Sequence, residues 1–249
     1  MNAMDDKRIA EQAVRDARKR KKTYAKSIVD HLTGEVRPVS VFMAGSPGAG
    51  KTETARSMRQ MFEQQAGAGF IHIDNDEMRK EFANYNGLNS PLFQKAATIL
   101  VEAIHDRALR RNVSFIMDST LASLDKAKSN IQRSLAKDRF VLIIFVYQPP
   151  KQAWELVQAR EIVEGRRVPA EVFITQFIES QVTVTQLKQQ FGNQIELMFV
   201  EKNTQTGHEA IYLDVSDIDA LLSKKYTRSQ LETIIGSVNT GGVNEYDNK

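Results

Sequence analysis

Residues 45–52 read GSPGAGKT and match the pattern G-x-x-x-x-G-K-[ST], which is typical of a phosphate-binding loop. The apolar residues 39–44 before this loop predict a buried strand, and residues 53–65 after it predict a helix. A strand that turns through glycines into a helix N-terminus directs several backbone N–H groups and the positive end of a helix dipole at one point. The sequence therefore predicts a binding site for the phosphates of a nucleoside triphosphate.

Two side chains of this phosphate loop have predicted roles of their own. Lys51 is expected to reach the β- and γ-phosphates, and the hydroxyl of Thr52 is expected to be a ligand of Mg²⁺. ATP is the expected nucleotide and GTP stays open, although the chain has no Asn-Lys-x-Asp run of the kind that reads guanine. The predicted nucleotide-binding residues are Gly45, Ser46, Pro47, Gly48, Ala49, Gly50, Lys51, Thr52 and Glu53.

Strand and helix signals alternate along the rest of the chain. Strands are predicted at residues 70–73, 113–117, 140–147, 195–200 and 211–213, and helices at residues 91–111, 123–137 and 151–190, the last interrupted at 165–169. This alternation is typical of a mostly parallel sheet with crossover helices. We therefore expect an α/β P-loop NTPase or kinase fold, with a mostly parallel sheet flanked by helices and a helical lid at the interruption.

The composition limits the kind of protein. With 249 residues, 41% of them hydrophobic and 26% charged, the chain is long enough for one sizeable α/β domain. It has no cysteine, which excludes disulfide bonds and thiolate metal sites. Its longest apolar runs are too short to span a bilayer, and the polar N-terminus has no signal-peptide pattern. A cytoplasmic protein with no membrane partner is expected.

Three regions are expected along the chain. Residues 1–37 form a basic helical segment, residues 38–238 the nucleotide-binding kinase domain, and residues 239–249 a polar tail that is expected to be disordered. The net charge of +3 is small for this length, so nucleic acid is not an expected partner.

The basic run RKRKK at residues 18–22 admits more than one interpretation. It could be a nucleic-acid or partner arm, or part of a regulatory helix laid over the active site. The favoured interpretation is a helix with one solvated face, packed on the core through its apolar residues. The residues that favour packing are Ile9, Val14, Tyr24, Ile28 and Val29.

Acidic residues follow two of the predicted strands. Asp74 and Asp76 come after the second strand, and Asp118 comes after the third, followed by Thr120. A single acid at a strand end is often only a helix cap. Several acids on a sheet that also carries a phosphate loop favour phosphoryl transfer, which needs a carboxylate to accept the alcohol proton and oxygen ligands for Mg²⁺. Asp76 and Asp118 are the candidates, with Thr52 and Asp118 as the metal ligands.

Arginines cluster around the interruption of the long helical stretch. Arg160 lies on the helix before it, and Arg166 and Arg167 lie between Gly165 and Pro169. Guanidinium groups carried by a mobile segment neutralise the charge of a transferring phosphoryl group, and one positioned arginine can raise the rate by about 10³- to 10⁵-fold. The alternative is that these arginines only solubilise a helix, which is a better account of Arg167 than of Arg160.

Four segments in this order resemble the zeta toxin family of bacterial kinases, the toxin halves of toxin–antitoxin pairs. They are GSPGAGKT, IDNDEMRKEF at 73–82, VEAIHDRALRRNVSFIMDST at 101–120 and QAREIVEGRRVPAEV at 158–172. The resemblance implies a kinase that transfers the γ-phosphate of ATP or GTP to the 3′-hydroxyl of the sugar in UDP-N-acetylglucosamine. It also makes an antitoxin protein a candidate partner.

The resemblance implies roles for individual residues. Asp76 matches the catalytic base of the family, and Lys51 matches its phosphate-binding lysine. Arg160 matches the first charge-stabilising arginine and Arg166 the second, with Arg167 as the alternative to Arg166. The expected contacts to the acceptor substrate are Asp76, Arg79, Glu102, Asp118 and Thr120.

The chain departs from the family pattern at positions expected to touch the acceptor. Phe82 and Ala83 replace a His-Pro pair, Ala122 replaces a basic residue, and Asp118 is one methylene shorter than the glutamate of the family. Loss of a basic contact removes a charge-assisted hydrogen bond of about 1.5–3 kcal/mol, which is enough to change the preferred substrate. UDP-N-acetylglucosamine, which the resemblance implies, stays the leading acceptor. Another sugar nucleotide, another small-molecule or nucleotide-like alcohol, and a non-catalytic nucleotide-binding switch stay open.

Overall fold

The computed structural model describes residues 3–66 and 69–241, and a six-stranded sheet lies at its centre. The strands are β1 (Val39–Ala44), β2 (Ile71–Asp74), β3 (Phe115–Asp118), β4 (Phe140–Tyr147), β5 (Glu196–Asn203) and β6 (His208–Tyr212). Their order across the sheet is β2-β3-β1-β4-β5-β6. All neighbouring pairs are parallel except β5 and β6, which are antiparallel. The predicted α/β fold with a mostly parallel sheet is confirmed.

Helices flank this sheet. They are α1 (Ala3–Val29), α2 (Lys51–Ala66), α3 (Asn75–Lys80), α4 (Ser90–Arg111), α5 (Leu124–Leu135), α6 (Pro150–Glu164), α7 (Ala170–Phe191) and α8 (Arg228–Gly241). None of the helices within the described ranges has the length and apolar character needed to cross a membrane. The expected cytoplasmic location stays a prediction.

The alternation of side chains along β1 divides the core into two layers. Phe42 and Ala44 point into the larger core, which includes buried residues of α4, α6 and α7. Val41 and Met43 point to the opposite face, where a smaller core includes residues of α2. Because side chains of a strand alternate between faces, a strand covered on both sides is apolar throughout, as β1 is after Ser40.

The predicted elements agree with the structure in order, and differ in a few bounds. Strand β4 has the predicted bounds, and α6 and α7 are separated at residues 165–169 as expected. The six-residue helix α3 was not predicted. Helix α8 continues through residues 239–241 of the predicted tail. Residues 242–249 of that tail lie outside the described part of the chain, so the boundaries of the three regions stay predictions.

The N-terminal helix α1 packs along α4. Val29 is fully buried in the larger core, and Ile9, Val14, Tyr24 and Ile28 are partly buried against it. Three alanines of α1 that carried no signal in the sequence are also buried, because their small side chains let the helices approach closely. They are Ala13, Ala17 and Ala25. The prediction that this helix packs on the core is confirmed.

Candidate active site

The phosphate loop connects β1 to α2 at the carboxyl edge of the sheet. Gly48 adopts a left-handed backbone conformation with φ of +73°, and a Cβ atom there would lie 2.0 Å from the carbonyl oxygen of Ala153. No side chain fits at this position, because the loop rests directly on the backbone of α6. The N–H of Gly45 donates a hydrogen bond to the carbonyl oxygen of Thr120 at 3.3 Å, which links the loop to the segment after β3.

Lys51 is the first residue of α2 and lies at the centre of the charged groups of the site. Its ammonium group donates a hydrogen bond to the carbonyl oxygen of Ser46 at 2.7 Å. Removal from water lowers the pKa of Lys51, and the carboxylates of Asp118 and Asp76 act in the opposite direction. The positive charges of Arg166 and Arg160 also act on Lys51. The structure thus brings together the phosphate loop, two of the predicted acids and two of the predicted arginines.

The two predicted metal ligands are in contact. The hydroxyl of Thr52 donates a hydrogen bond to Oδ2 of Asp118 at 2.8 Å, and the carboxylate of Asp118 is almost fully buried. Burial alone would raise the pKa of Asp118, but the imidazole of His72, the charge of Lys51 and the Thr52 hydroxyl lower it overall. A hydroxyl and an ionised carboxylate are the hard oxygen donors that suit Mg²⁺, so these residues fit that ion.

A nitrogen donor lies next to these oxygens. Nε2 of His72 is 3.8 Å from Oδ2 of Asp118 and has no hydrogen-bond partner among the described residues. Donor atoms of His72, Asp74 and Asp118 lie within 4.8 Å of one another. Sequence reasoning missed His72, for which the only signal was its position in β2 two residues before Asp74.

Asp74 is the cap of helix α3. Its side chain accepts a hydrogen bond from the N–H of Asp76 at 2.8 Å, which satisfies one of the free amides at the start of the helix. Burial and the neighbouring carboxylates of Asp76 and Asp118 raise the pKa of Asp74 to about 6. Asp74, the last residue of β2, therefore acts as a helix cap and helps to place Asp76.

Asp76 lies between two arginines. Its Oδ1 accepts a hydrogen bond from Arg79 at 2.7 Å, and its Oδ2 accepts one from Arg166. Arg79 is buried and also donates to Oε1 of Gln94 on α4. The predicted acceptor contact Arg79 thus holds the candidate base in place, and Gln94 is a supporting residue that sequence reasoning missed.

The three predicted arginines have different surroundings. Arg166 reaches Asp76, whereas Arg167 is 75% exposed and lies 4.0 Å from Glu161. Arg160 forms an ion pair with Glu164 at 3.2 Å. Burial opposes the charge of Arg160, but Glu164 together with Asp76 and Glu53 raises its pKa overall. Arg166 and Arg160 therefore lie near the site, and the side chain of Arg167 does not.

The structure does not bring Glu102 into contact with the rest of the site. Glu102 lies on α4, about 12 Å along the helix axis from Gln94, given a rise of about 1.5 Å per residue. Its carboxylate pairs with Lys126 at 3.4 Å and Arg133 at 3.6 Å on α5. The described contact of Thr120 with the site is made by its backbone carbonyl oxygen, which accepts the hydrogen bond from Gly45. The predicted contacts of Glu102 and Thr120 with an acceptor stay predictions.

Lys202 is a further cation at the phosphate loop. A Cβ atom on Gly50 would lie 3.2 Å from Cδ and 3.5 Å from Nζ of Lys202, which extends from β5. The ammonium group also lies 3.4 Å from Glu209 across the β5–β6 hairpin, and the side chain is 17% exposed. Sequence reasoning missed Lys202, because the predicted strand ended at residue 200, and the predicted polar turn at residues 203–208 did not indicate that this side chain reaches the phosphate loop.

The chain has relatives among known protein families. A sequence profile described as Zeta toxin matches residues 21–213, which is most of the chain. No curated protein matches the chain. The resemblance inferred from the four sequence segments is confirmed by this match.

Solved structures share the fold at low sequence identity. The PezAT chromosomal toxin–antitoxin system of Streptococcus pneumoniae is similar with a TM-score of 0.61 and 14% identity, over 90% of this chain and 94% of that chain. The AvrRxo1-ORF1:-ORF2 complex with ATP is similar with a TM-score of 0.59 and 17% identity, over 88% of this chain and 74% of that chain. Together with the profile match and the phosphate loop, these similarities show that the chain belongs to the zeta toxin family of P-loop kinases.

Proposed function

We propose that this protein transfers the γ-phosphate of ATP or GTP to a hydroxyl group of a sugar nucleotide, with Asp76 as the general base. The leading acceptor is the 3′-hydroxyl of UDP-N-acetylglucosamine. The observations that support this most directly are two contacts at the phosphate loop. Thr52 of the loop donates a hydrogen bond to Asp118, and Asp76 accepts one from Arg166. A carboxylate that faces a phosphate site in this way is positioned to receive the proton of an attacking alcohol.

In the proposed reaction the acceptor oxygen forms a bond to the γ-phosphorus, and the bond from that phosphorus to the β–γ bridging oxygen breaks. The proton of the acceptor hydroxyl passes to Asp76, and ADP or GDP leaves. Lys51 and the backbone N–H groups of the phosphate loop hold the phosphates. Arg160 and Arg166 neutralise the charge that develops on the phosphoryl group.

The contact between Arg166 and Asp76 gives residues 165–169, the proposed lid between α6 and α7, a role in this reaction. Both groups are charged, and the contact occupies Oδ2 of Asp76. When a triphosphate is present, its oxygens compete with Asp76 for the guanidinium group, because Arg binds phosphate in the same bidentate geometry as carboxylate. Transfer of Arg166 to the phosphate frees Oδ2 to accept the alcohol proton, while Arg79 still holds Oδ1.

Thr52 and Asp118 would hold a Mg²⁺ ion. There it would supply positive charge that offsets the charge of the phosphates. The hydrogen bond between Thr52 and Asp118 keeps both oxygen donors directed at the same point.

We also propose a toxin role with an antitoxin as partner. The similar structures of PezAT and AvrRxo1-ORF1:-ORF2 are described as a toxin–antitoxin system and as a two-protein complex, respectively. An antitoxin that covers the phosphate loop or holds the lid would stop the reaction without contact to the acceptor site. Expression of the protein with and without candidate neighbouring proteins, with cell growth as the readout, tests this role.

A substrate screen tests the proposed kinase activity. Purified protein with Mg²⁺ and γ-labelled ATP or GTP is offered UDP-N-acetylglucosamine, other sugar nucleotides, nucleosides and oligonucleotides. We expect label on UDP-N-acetylglucosamine, and Asp76→Asn should lower kcat by about 10²- to 10⁴-fold with nucleotide binding retained. Glu77→Gln is the matched control, since it makes the same chemical change at an exposed neighbouring position.

Each alternative has its own outcome in this screen. Label on a different alcohol would retain the kinase and replace the acceptor. Nucleotide binding without transfer to any alcohol, combined with full function of Asp76→Asn in cells, would replace the kinase by a nucleotide-binding switch.

A further inference from the structure

Helix α3, which carries the candidate base, is too short to be stable by itself. It has six residues, Asn75–Lys80, and isolated helices of fewer than about 12 residues are marginal in water. Its N-terminal end is capped by Asp74. Buried Arg79 joins Asp76 to Gln94 of α4 in the middle of the helix, and the remaining question is what holds its C-terminal end.

Arg20 of α1 holds that other end. Its Nη2 donates a hydrogen bond to the carbonyl oxygen of Glu81, the residue that caps α3, at 3.0 Å. Its Nη1 lies 3.5 Å from the carboxylate of the same residue. The last carbonyl groups of a helix have no partner within the helix, and the dipole favours a cation there. One guanidinium group thus satisfies a free carbonyl and complements the dipole.

The guanidinium group of Arg20 is itself held from several sides. Its Nε donates to Oδ2 of Asp16 at 2.7 Å, and the group lies 4.9 Å from the ring centre of Phe82 and 5.4 Å from that of Tyr24. Phe82 is buried and packs on Phe93. Contacts of this kind order the side chain, so Arg20 differs from the solvated lysines next to it in the basic run.

The support reaches the core through α1. Buried Ala17 and Ala25 fix this helix on both sides of Arg20. The family profile begins at residue 21, so Arg20 and the N-terminal half of α1 lie outside the matched region.

We propose that Arg20 is a positioning residue that sets the place of α3, and with it the place of Asp76 opposite the phosphate loop. The effect on catalysis rests on the proposed function of Asp76, whereas the effect on α3 does not. A displacement of a reacting group by about 1 Å can cost about 10²-fold in rate, so loss of the anchor should be visible in kcat. Nucleotide binding by the phosphate loop, on the far side of Asp76, should be little affected.

Two measurements on the full chain test this. The first is amide hydrogen exchange of peptides that cover residues 75–82 and 51–66, in the wild type, Arg20→Ala, Arg20→Lys and the control Lys19→Ala. In Arg20→Ala we expect residues 75–82 to exchange about tenfold faster or more, with residues 51–66 unchanged. Arg20→Lys should be intermediate, because it keeps the charge and loses the planar group that lies over Phe82. Lys19→Ala removes one charge from an exposed neighbouring position and should match the wild type.

The second measurement is kinetic, with ATP, Mg²⁺ and UDP-N-acetylglucosamine as the probe acceptor. Arg20→Ala should lower kcat by about tenfold or more with KM for ATP within about twofold. Wild-type exchange at residues 75–82 in Arg20→Ala would overturn the proposal, and so would faster exchange spread equally over residues 51–66. If UDP-N-acetylglucosamine is not phosphorylated by the wild type, the proposed acceptor fails, and the exchange measurement alone decides the role of Arg20.

Discussion

The carboxylate of Asp76 accepts a hydrogen bond from the guanidinium group of Arg166, a residue 90 positions later in the chain. This contact joins the short helix after β2 to the loop between α6 and α7, so that loop rests on the residue proposed as the base. The guanidinium group of Arg166 therefore lies at the carboxylate of Asp76.

Substitution of the two neighbouring lid arginines should have unequal effects. Arg166→Ala should lower kcat by about 10³-fold or more, because a positioned arginine stabilises the transferring phosphoryl group. Arg167→Ala should change kcat by less than about fivefold, because its exposed side chain has only a distant pairing with Glu161. Steady-state kinetics of both variants checks this, and equal losses would show that both arginines, or neither, serve the reaction.

Removal of the Thr52 hydroxyl should weaken the binding of Mg²⁺. Thr52→Ala should raise the Mg²⁺ concentration for half-maximal activity by about 10- to 100-fold, whereas Thr52→Ser keeps the hydroxyl and should stay close to the wild type. A titration of activity with Mg²⁺ at saturating nucleotide checks this. An unchanged requirement in Thr52→Ala would exclude Thr52 as a metal ligand.

Lys202 should contribute to nucleotide binding. Its ammonium group lies beside Gly50, where the backbone of the loop faces the phosphates, so Lys202→Ala should raise the Kd for ATP by about tenfold through the loss of one charge-assisted contact. Glu209→Gln is the control, because it removes the ion-pair partner of Lys202 and keeps the ammonium group. Calorimetric titration with ATP and ADP measures both. If the Kd for ATP is the same in Lys202→Ala and the wild type, Lys202 does not contribute to nucleotide binding and serves only in the ion pair with Glu209.

The stability of the fold should fall in mild acid because of His105. This side chain is fully buried, edge-on to Phe115 at 5.0 Å between ring centres. Burial, together with the positive charges of Arg133, Arg139 and Lys126, lowers its pKa from 6.5 to about 3. The unfolded chain thus binds a proton below about pH 6.5 that the folded chain does not bind until about pH 3. Over that range His105 should cost about 1.4 kcal/mol of stability per pH unit.

Urea unfolding of the wild type and His105→Phe at about pH 7.5 and pH 5 isolates this contribution. The loss of unfolding free energy between the two pH values should be about 2 kcal/mol larger in the wild type, since only the wild type has the imidazole. Equal losses in both proteins would mean that the folded state accommodates the protonated ring.

The elements that could be predicted from the sequence are those whose signal is local. The phosphate loop is a contiguous pattern between a strand and a helix, and β4 is an uninterrupted apolar run, so both were predicted correctly. Helix α3 was missed because six residues contain less than two turns of periodicity. Its ends are contacted by the cap Asp74 and by Arg20, and Arg20 is far away in the chain.

In the candidate site, too, the residues with a local sequence signal could be predicted, and those placed by distant contacts could not. Asp76, Asp118 and Lys51 were expected together because the carboxyl ends of parallel strands meet at one edge of a sheet. The choice between Arg166 and Arg167 depends on how the loop after α6 closes, which adjacent residues of the same type do not reveal. The approach of Lys202 to the phosphate loop depends on the length and direction of the β5–β6 hairpin. The pairing of Glu102 depends on which face of α4 is covered by α5. Neither contact could be predicted from the sequence pattern.

Helix α6 connects two parts of the candidate site. Near its beginning the backbone of Ala153 touches Gly48 of the phosphate loop, and just beyond its end lies Arg166. At 15 residues the helix is about 22 Å long. The phosphate loop and the guanidinium group of Arg166 are therefore joined by one continuous helix, so the position of one constrains the position of the other.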